Sequence, residues 1–130
     1  MANTSEILRK YKTIAVVGLS NNPSRASYSV SEYMQRQGYR IIPVNPGHAE
    51  LLGEKSYRTL EEIPEPVEIV NIFRRSEMIP PIVDSAIAIG AKVVWMQEGI
   101  ENPEAAAKAE AAGLEVVMNT CILKAHWRVR

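Results

Sequence analysis

The sequence predicts an α/β protein in which a mostly parallel sheet of five or six strands lies between two layers of helices. Short apolar, β-branched runs alternate with segments of helical periodicity along the chain, which is the pattern of repeated βαβ units. Three predicted helices end at Gly38, Gly90 and Gly113, each followed directly by an apolar run. Glycine is preferred just after a helix because it adopts left-handed backbone conformations. Together these observations indicate a three-layer, Rossmann-like fold.

The elements follow in a regular order. A short helix is expected over about Ser5 to Tyr11, and the third main helix begins with the cap residue Asn102 and a proline at the first helical position. Strands are predicted near residues 13–18, 40–44, 68–73, 92–97 and 114–118, with a brief edge strand near Lys55–Tyr57.

Composition restricts the classes of function. The 130 residues predict a single domain, 1–130, and 46% hydrophobic with 23% charged residues is typical of a soluble globular protein. The 15 basic and 15 acidic residues cancel, which gives no electrostatic case for nucleic acid or membrane binding. One cysteine excludes an internal disulfide and fits the cytoplasm. We see no metal-ligand spacing, Walker A lysine or nucleophile elbow, which favours a binding module over an enzyme.

The loop after the first strand carries the strongest functional signal. In a parallel sheet, ligands bind outside the carboxyl ends of the strands, and this loop combines Gly18 with serine hydroxyls and the charge of Arg25 at a helix start. Those features suit a phosphate. A dinucleotide fingerprint would also need glycines where Ser20 and Pro23 stand, which argues against an ordinary NAD site. The alternative is a plain strand-to-helix loop with a serine cap.

Residues after the next strands extend this signal. An NAD site normally has an acidic residue after the second strand, whereas this chain has Asn45. Arg74 and Arg75 directly follow the third long strand, and guanidinium groups pair with phosphate and stack on bases; a solvated loop is the alternative. Glu98 adds a carboxylate after the fourth, where it contacts a hydroxyl, caps a helix or faces solvent. Arg40 begins a strand, so we expect it to lie away from this edge.

Six short segments, spread over nearly the whole chain, carry a resemblance to a known family. They are residues 12–20 (KTIAVVGLS), 22–25 (NPSR), 38–46 (GYRIIPVNP), 72–75 (IFRR), 94–100 (VWMQEGI), and Cys121–Ile122 with His126. In this order they resemble the small CoA-binding protein family, whose members are single Rossmann-like domains related to the N-terminal, CoA-binding domain of the succinyl-CoA synthetase α subunit.

The resemblance implies coenzyme A, or an acyl-CoA, lying across the carboxyl ends of the strands. The implied residues fall into four groups: Gly18, Ser20, Asn22, Arg25 and Ser27 around the phosphates; Val44, Asn45 and Pro46 beside the nucleotide; Ile72, Phe73, Arg74 and Arg75 at adenine or phosphate; and Gln97, Glu98 and Gly99 toward the pantetheine arm. The 3′-phosphate of CoA would be repelled by a carboxylate after strand two and attracted by arginine.

The C-terminal segment departs from the family pattern, which resembles Asp-Arg-Cys-Ile-x-x-Glu-His. Asn119–Thr120 replaces the first pair, Ala125 replaces the glutamate, and Trp127 follows His126. The apolar Ala125–Trp127 segment covers a sheet edge or forms a surface for a protein partner or self-association. The synthetases carry their phosphorylated histidine and ligase chemistry outside this domain, so the resemblance does not imply ligase activity.

Three functional hypotheses follow. The first is a CoA-binding protein without catalysis of its own. The second is an enzyme in which Cys121 performs acyl transfer or forms a mixed disulfide with CoA, although a lone cysteine is more often a small buried apolar residue. His126 is five residues away and not on the same helix face. The third is an interaction module that docks a protein through Ala125–Trp127.

Overall fold

The computed structural model describes residues 2–129 and has the predicted α/β architecture; Met1 and Arg130, the ends of the predicted domain, lie outside the described residues. The strands are β1 (Thr13–Val17), β2 (Arg40–Val44), β3 (Glu50–Leu51), β4 (Glu54–Lys55), β5 (Ile69–Ile72), β6 (Val93–Met96) and β7 (Glu115–Val117). The helices are α1 (Thr4–Lys10), α2 (Ala26–Arg36), α3 (Ile79–Ala88), α4 (Pro103–Ala111) and α5 (Ile122–Trp127). Short 3₁₀ turns cover Leu60–Glu62 and Ser76–Met78.

Five strands form one parallel sheet in the order β2-β1-β5-β6-β7. These are the five long strands expected from the sequence. Helices cover both faces, so inner strands such as Ile69–Ile72 and Val93–Met96 are buried at every residue. Two-sided burial explains why the strands are continuous apolar runs rather than alternating polar and apolar residues.

Side chains alternate between the two faces and create two cores. Ala15 and Val70 pack into the cluster that contains residues of α3 and α4. Their neighbours Ile14 and Val16 pack into the cluster formed with α1, α2 and α5, where Trp95 is the largest fully buried residue. The arrangement gives the three predicted layers.

The helix ends follow local chemistry. The Asn102 side-chain oxygen accepts from the Ala105 N–H at 3.0 Å, as expected of a cap at the start of α4. Helix α3 begins at Ile79, and Pro80 and Pro81 fit in its first turn because the N–H groups there need no intrahelical acceptor. The glycines that follow α2, α3 and α4 all have the expected positive φ.

The expected edge strand differs in detail from the prediction. Residues of the 50–55 region form the antiparallel pair β3–β4. Tyr57 alone bridges in parallel to β2, donating to the Pro43 carbonyl at 3.0 Å and accepting from the Asn45 N–H at 2.9 Å. A single residue therefore extends the sheet beyond β2, and it places Arg58 at the carboxyl-end edge.

The topology also fixes where a crevice opens. From β1 the chain crosses to β2 on one side, and later strands are added through β5 on the other side. The segments that follow β1 and β5 therefore lead to α2 and α3 on opposite faces of the sheet, and a crevice at such a switch point is the usual ligand position in open parallel sheets. Gly18 and Phe73 are the first residues after these two strands.

Candidate functional site

The loop Gly18–Ser27, which we term the phosphate loop, is folded by its own polar groups. The Ser27 hydroxyl accepts from the Ser20 N–H at 2.9 Å, and the Ser20 hydroxyl accepts from the Asn22 N–H at 3.0 Å. The Asn22 side-chain oxygen accepts from the Ser24 N–H at 3.0 Å and from its hydroxyl at 2.8 Å. These bonds set the loop conformation before any ligand arrives, which lowers the ordering cost of binding.

The phosphate loop ends at the first turn of α2. Arg25 is the cap residue, in extended conformation and without a side-chain capping bond. The N–H groups of Ala26 and Ser27 lie in the first turn, where no intrahelical acceptor exists. A depression of about 290 Å³ opens here, lined by Gly18, Ser20, Arg25, Ala26, Ser27 and Phe73. Free N–H groups, the helix dipole and a guanidinium suit an anion.

Gly18 brings two loops into contact at the switch point. Its N–H donates to the Val44 carbonyl at 3.1 Å, and the preceding Val17 carbonyl accepts from the Phe73 N–H at 2.9 Å. A Cβ at position 18 would lie 2.6 Å from the Phe73 carbonyl oxygen and 2.9 Å from the Arg74 side chain. The sequence predicts a small residue at position 18 so that a ligand can come close to the backbone. In the structure, it is the β5 loop that lies close to Gly18.

Asn45 ties the β2 loop to the phosphate loop. Its side-chain N–H donates to the Leu19 carbonyl at 2.8 Å, and its side-chain oxygen accepts from the Gly47 N–H at 2.8 Å. An aspartate could accept but could not donate at this position. Asn45 thus has a structural role that the sequence analysis did not predict.

Beside the phosphate loop lies a second depression, of about 220 Å³, which we term the apolar cleft. Its lining is chiefly apolar and includes two guanidinium groups: Val17, Gly18, Val44, Asn45, Pro46, Arg58, Arg74, Met78, Pro81 and Ile82. An adjoining depression of about 200 Å³ shares Val17, Val44, Arg58, Pro81 and Ile82 and adds Thr59, Leu60, Glu61 and Ser85. A mostly apolar space with a few polar groups suits a base.

Sequence reasoning missed Arg58 and the α3 residues Pro81 and Ile82. The sequence did contain a signal for Arg58, because this residue directly follows the predicted edge strand Lys55–Tyr57. The rule that ligands bind at the carboxyl ends of strands selected the other residues and applies to Arg58 as well. For Pro81 and Ile82, periodicity marks the helix but does not reveal which strand ends it lies against.

A third depression, of about 440 Å³, continues toward β6 and is lined by Phe73, Arg74, Arg75, Ser76, Glu77, Gly99 and Ile100. Gly18 is shared by the apolar cleft and the phosphate-loop depression, and Phe73 is shared by the latter and the third depression. The three spaces are therefore parts of one strand-end groove. It contains predicted residues from all four groups.

The arginines divide into paired and unpaired groups. Arg40 donates to Glu54 and Glu65 at 2.8–3.0 Å, far from the groove at the beginning of β2 as expected, and Arg75 pairs with Glu77 at 3.1 Å. Five arginine side chains have no hydrogen bond or ion pair within residues 2–129: the exposed Arg9 and Arg128, and the groove residues Arg25, Arg58 and Arg74. Three unpaired guanidinium groups therefore line the groove, although the net charge of the chain is zero.

The predicted pantetheine residues have defined partners. Gln97 is 4% exposed, and its side-chain oxygen accepts from the Ile122 N–H at 3.0 Å, at the start of α5. Glu98 forms an ion pair with Lys124 at 3.1 Å. The Gly99 N–H donates to the Asn119 side chain at 2.6 Å. Of this group, Gly99 lines the groove, while Gln97 binds the backbone at the start of α5 and Glu98 pairs with a side chain of α5.

Two other predicted residues lie beneath or beside the groove. Ile72 is fully buried in the core with α3 and α4, so its side chain supports the groove from below. Asn22 shapes the phosphate loop through its own turn, and it is not among the residues that line the depressions.

The C-terminal residues form α5. Cys121 precedes this helix and is partly buried against the core of α1 and α2. His126 is buried, and its Nδ1 atom hydrogen-bonds to the Tyr33 hydroxyl at 2.8 Å. Ala125 is also buried, whereas Trp127 is 57% exposed. The predicted partner surface Ala125–Trp127 is thus largely turned inward, with Trp127 as its exposed residue.

No group of three or more His, Cys, Asp or Glu residues within 2–129 could hold a metal ion. No helix over the same residues is long and apolar enough to cross a membrane.

Comparison with known proteins identifies relatives over nearly the whole chain. Residues 12–127 match a family model described as a CoA binding domain. The uncharacterized protein YneT of Bacillus subtilis is 47% identical over 125 residues, which are 96% of this chain and 93% of that protein. The acetate–CoA ligase (ADP-forming) I subunit alpha of Pyrococcus furiosus is 32% identical in an alignment of 95 residues that covers 68% of this chain but only 21% of that subunit.

Solved structures show the same fold. A hypothetical protein from Pyrococcus horikoshii OT3 superposes with a TM-score of 0.94 at 42% identity, covering 97% of this chain and 89% of that one. A Thermus thermophilus protein, cell-free ID.343, also gives a TM-score of 0.94, at 36% identity, covering 99% of this chain and all of that one.

Proposed function

The chain belongs to the CoA-binding domain family, and we propose that it binds coenzyme A or an acyl-CoA in the strand-end groove, without a reaction of its own. The observation that carries the proposal is the convergence of three unpaired arginines, Arg25, Arg58 and Arg74, on one groove in a chain of zero net charge. CoA is a strongly anionic ligand, and guanidinium groups without protein partners are available to its phosphates.

The three parts of the groove match the three chemical parts of CoA. We place adenine between the apolar walls of the cleft formed by Val17, Val44 and Ile82. The pyrophosphate lies at the phosphate loop, where Arg25 and the first turn of α2 supply positive charge and N–H groups. The pantetheine arm runs along the third depression toward Gly99.

The same groove disfavours NAD. Asn45 occupies the position where a carboxylate would hold the ribose hydroxyls of a dinucleotide, and its amide is already bonded to the Leu19 carbonyl. The neutral amide does not repel a phosphorylated ribose, as a carboxylate would. We therefore propose that the nucleotide is 3′-phosphorylated, as in CoA.

Binding rather than catalysis is proposed from the chemistry of the groove. Its described lining residues offer arginine, hydroxyl, amide and backbone groups and the carboxylates of Glu61 and Glu77, of which Glu77 pairs with Arg75, with no histidine or cysteine among them. The ligase subunit with similarity to this chain is about five times longer than the matched region, so its reaction is not transferred here.

Charge reversal tests the site. Arg25→Glu and Arg74→Glu should each weaken CoA binding by about tenfold to a hundredfold or more, because each removes a charge-assisted contact and adds repulsion. Arg36→Glu is the matched control, since Arg36 is 74% exposed at the far end of α2. Titration calorimetry gives the affinities; unchanged affinity in both groove variants would remove the site assignment.

A further inference from the structure

We infer that Arg58 is the residue that recognises the 3′-phosphate of CoA and so distinguishes CoA from its dephosphorylated form. This inference rests on the proposed function and assigns a specific role to a residue that the family resemblance did not indicate. It follows from where each unpaired arginine lies along the groove.

The three arginines differ in the set of spaces that each one lines. Arg25 lines only the phosphate-loop depression, and Arg74 lines both the apolar cleft and the third depression. Arg58 lines only the apolar cleft and the depression that adjoins it. Arg25 thus serves only the pyrophosphate region, and Arg58 serves only the nucleoside end, whereas Arg74 is shared by the nucleoside end and the third depression.

The backbone of Arg58 is fixed while its charge is unpaired. The preceding residue, Tyr57, is held beside β2 by two backbone hydrogen bonds. The Arg58 N–H donates to a Glu62 side-chain oxygen at 3.0 Å. Glu62 is therefore engaged with the backbone, and no carboxylate of residues 2–129, including the nearby Glu61, lies within 4 Å of the Arg58 guanidinium nitrogens.

A monoester phosphate fits this arrangement better than a neutral hydroxyl. With adenine between Val17, Val44 and Ile82, we place the ribose toward the phosphate loop and its 3′ substituent against Arg58, which lines the cleft together with Arg74. A phosphomonoester presents nearly two negative charges and three acceptor oxygens, and a guanidinium binds it with two parallel hydrogen bonds. A ribose hydroxyl is uncharged and has one acceptor oxygen instead of three.

The test is a cycle of two ligands and three variants. CoA and 3′-dephospho-CoA are titrated into the wild type and into the variants Arg58→Gln, Arg25→Gln and Arg36→Gln. In Arg58→Gln, CoA affinity should fall by about tenfold or more while 3′-dephospho-CoA affinity stays within about twofold. Arg25→Gln should weaken both ligands alike, since both carry the pyrophosphate. Arg36→Gln should change neither.

The outcomes separate the inference from the function it rests on. Failure of the wild type to bind CoA would overturn the proposed function and this inference with it. CoA binding by the wild type, with Arg58→Gln weakening both ligands equally or neither, would overturn the inference alone. The affinity of Arg58→Gln for 3′-dephospho-CoA also reports whether the variant is folded, and Arg58→Lys should recover only part of the discrimination because it lacks the bidentate geometry.

Discussion

Gly18 and Phe73 meet backbone to backbone at the switch point: a Cβ on Gly18 would lie 2.6 Å from the Phe73 carbonyl oxygen. The phosphate loop and the β5 loop can therefore come together only because residue 18 has no side chain. The φ of Gly18 is +90°, a region that residues with a Cβ rarely adopt.

Gly18→Ala should destabilise the protein more than an ordinary glycine substitution. We expect the left-handed backbone to cost about 1–2 kcal/mol, and the clash with the β5 loop to add about 1–3 kcal/mol. Gly113→Ala is the matched control, because Gly113 has a φ of +93° but an added Cβ would have nothing within 4 Å. The free energy of unfolding in urea gives both values, and equal losses would contradict the close-contact explanation.

Asn45→Asp should lower both stability and CoA affinity. The carboxylate cannot donate to the Leu19 carbonyl and leaves that contact repulsive, so we expect a loss of about 1–3 kcal/mol in unfolding free energy. Asn45→Ala controls for the lost hydrogen bonds without adding charge. Calorimetry should show weaker CoA binding by Asn45→Asp than by Asn45→Ala, and the reverse order would argue against a phosphate near this residue.

Asn119 is expected to hold the β6 loop in place. Its side chain accepts from the Gly99 N–H, its own N–H donates to the Ile100 carbonyl at 3.1 Å, and its φ is +51°. Asn119→Ala should cost about 1–3 kcal/mol through the lost acceptor and the left-handed backbone. Asn119→Asp keeps an acceptor, so it should preserve slow hydrogen exchange of the Gly99 amide, whereas Asn119→Ala should accelerate it. Identical exchange in both variants would exclude this role.

The cluster of Arg40 with Glu54 and Glu65 should contribute stability that depends on pH. Hydrogen bonding to Arg40 lowers the pKa of Glu65 below its usual value of 4.5. Because the folded-state pKa is the lower one, this stabilisation is present above about pH 4.5 and is lost as the pH falls through the folded-state pKa.

Arg40→Gln should therefore destabilise the protein at pH 7 by less than about 1 kcal/mol, since the cluster is partly solvent-exposed. The difference from wild type should shrink toward pH 3. Urea unfolding at both pH values measures it, with Arg36→Gln as a control that removes an exposed ion pair with Glu32. A difference as large at pH 3 as at pH 7 would contradict the assignment to Glu65.

The sheet could be predicted well from the sequence because each strand and each helix end is marked by residues that are close together in the chain. The apolar runs at 13–18 and 68–73 and the glycines after the helices can be read without knowing what packs on them, and parallel topology then brings their carboxyl ends to one edge. This rule selected Phe73, Arg74 and the phosphate loop, which line the strand-end groove.

The parts that sequence missed depend on tertiary contacts. Arg58 reaches the groove only because one residue, Tyr57, pairs with β2, a strand too short to give a periodic signal. The Gly99–Asn119 bond joins loops twenty residues apart. Gln97 was predicted at the ligand, but its side chain serves the start of α5. Nothing in a local pattern shows which partner such a polar side chain will find.

The most direct test of the account is a parallel calorimetric titration of the purified protein with CoA, 3′-dephospho-CoA and NAD, after denaturing mass spectrometry has identified any co-purified ligand. The unpaired arginines and the neutral Asn45 predict that CoA binds at least about tenfold more tightly than either comparator. Absence of binding to all three, or equal binding of CoA and NAD, would contradict the proposal that this groove is a CoA site.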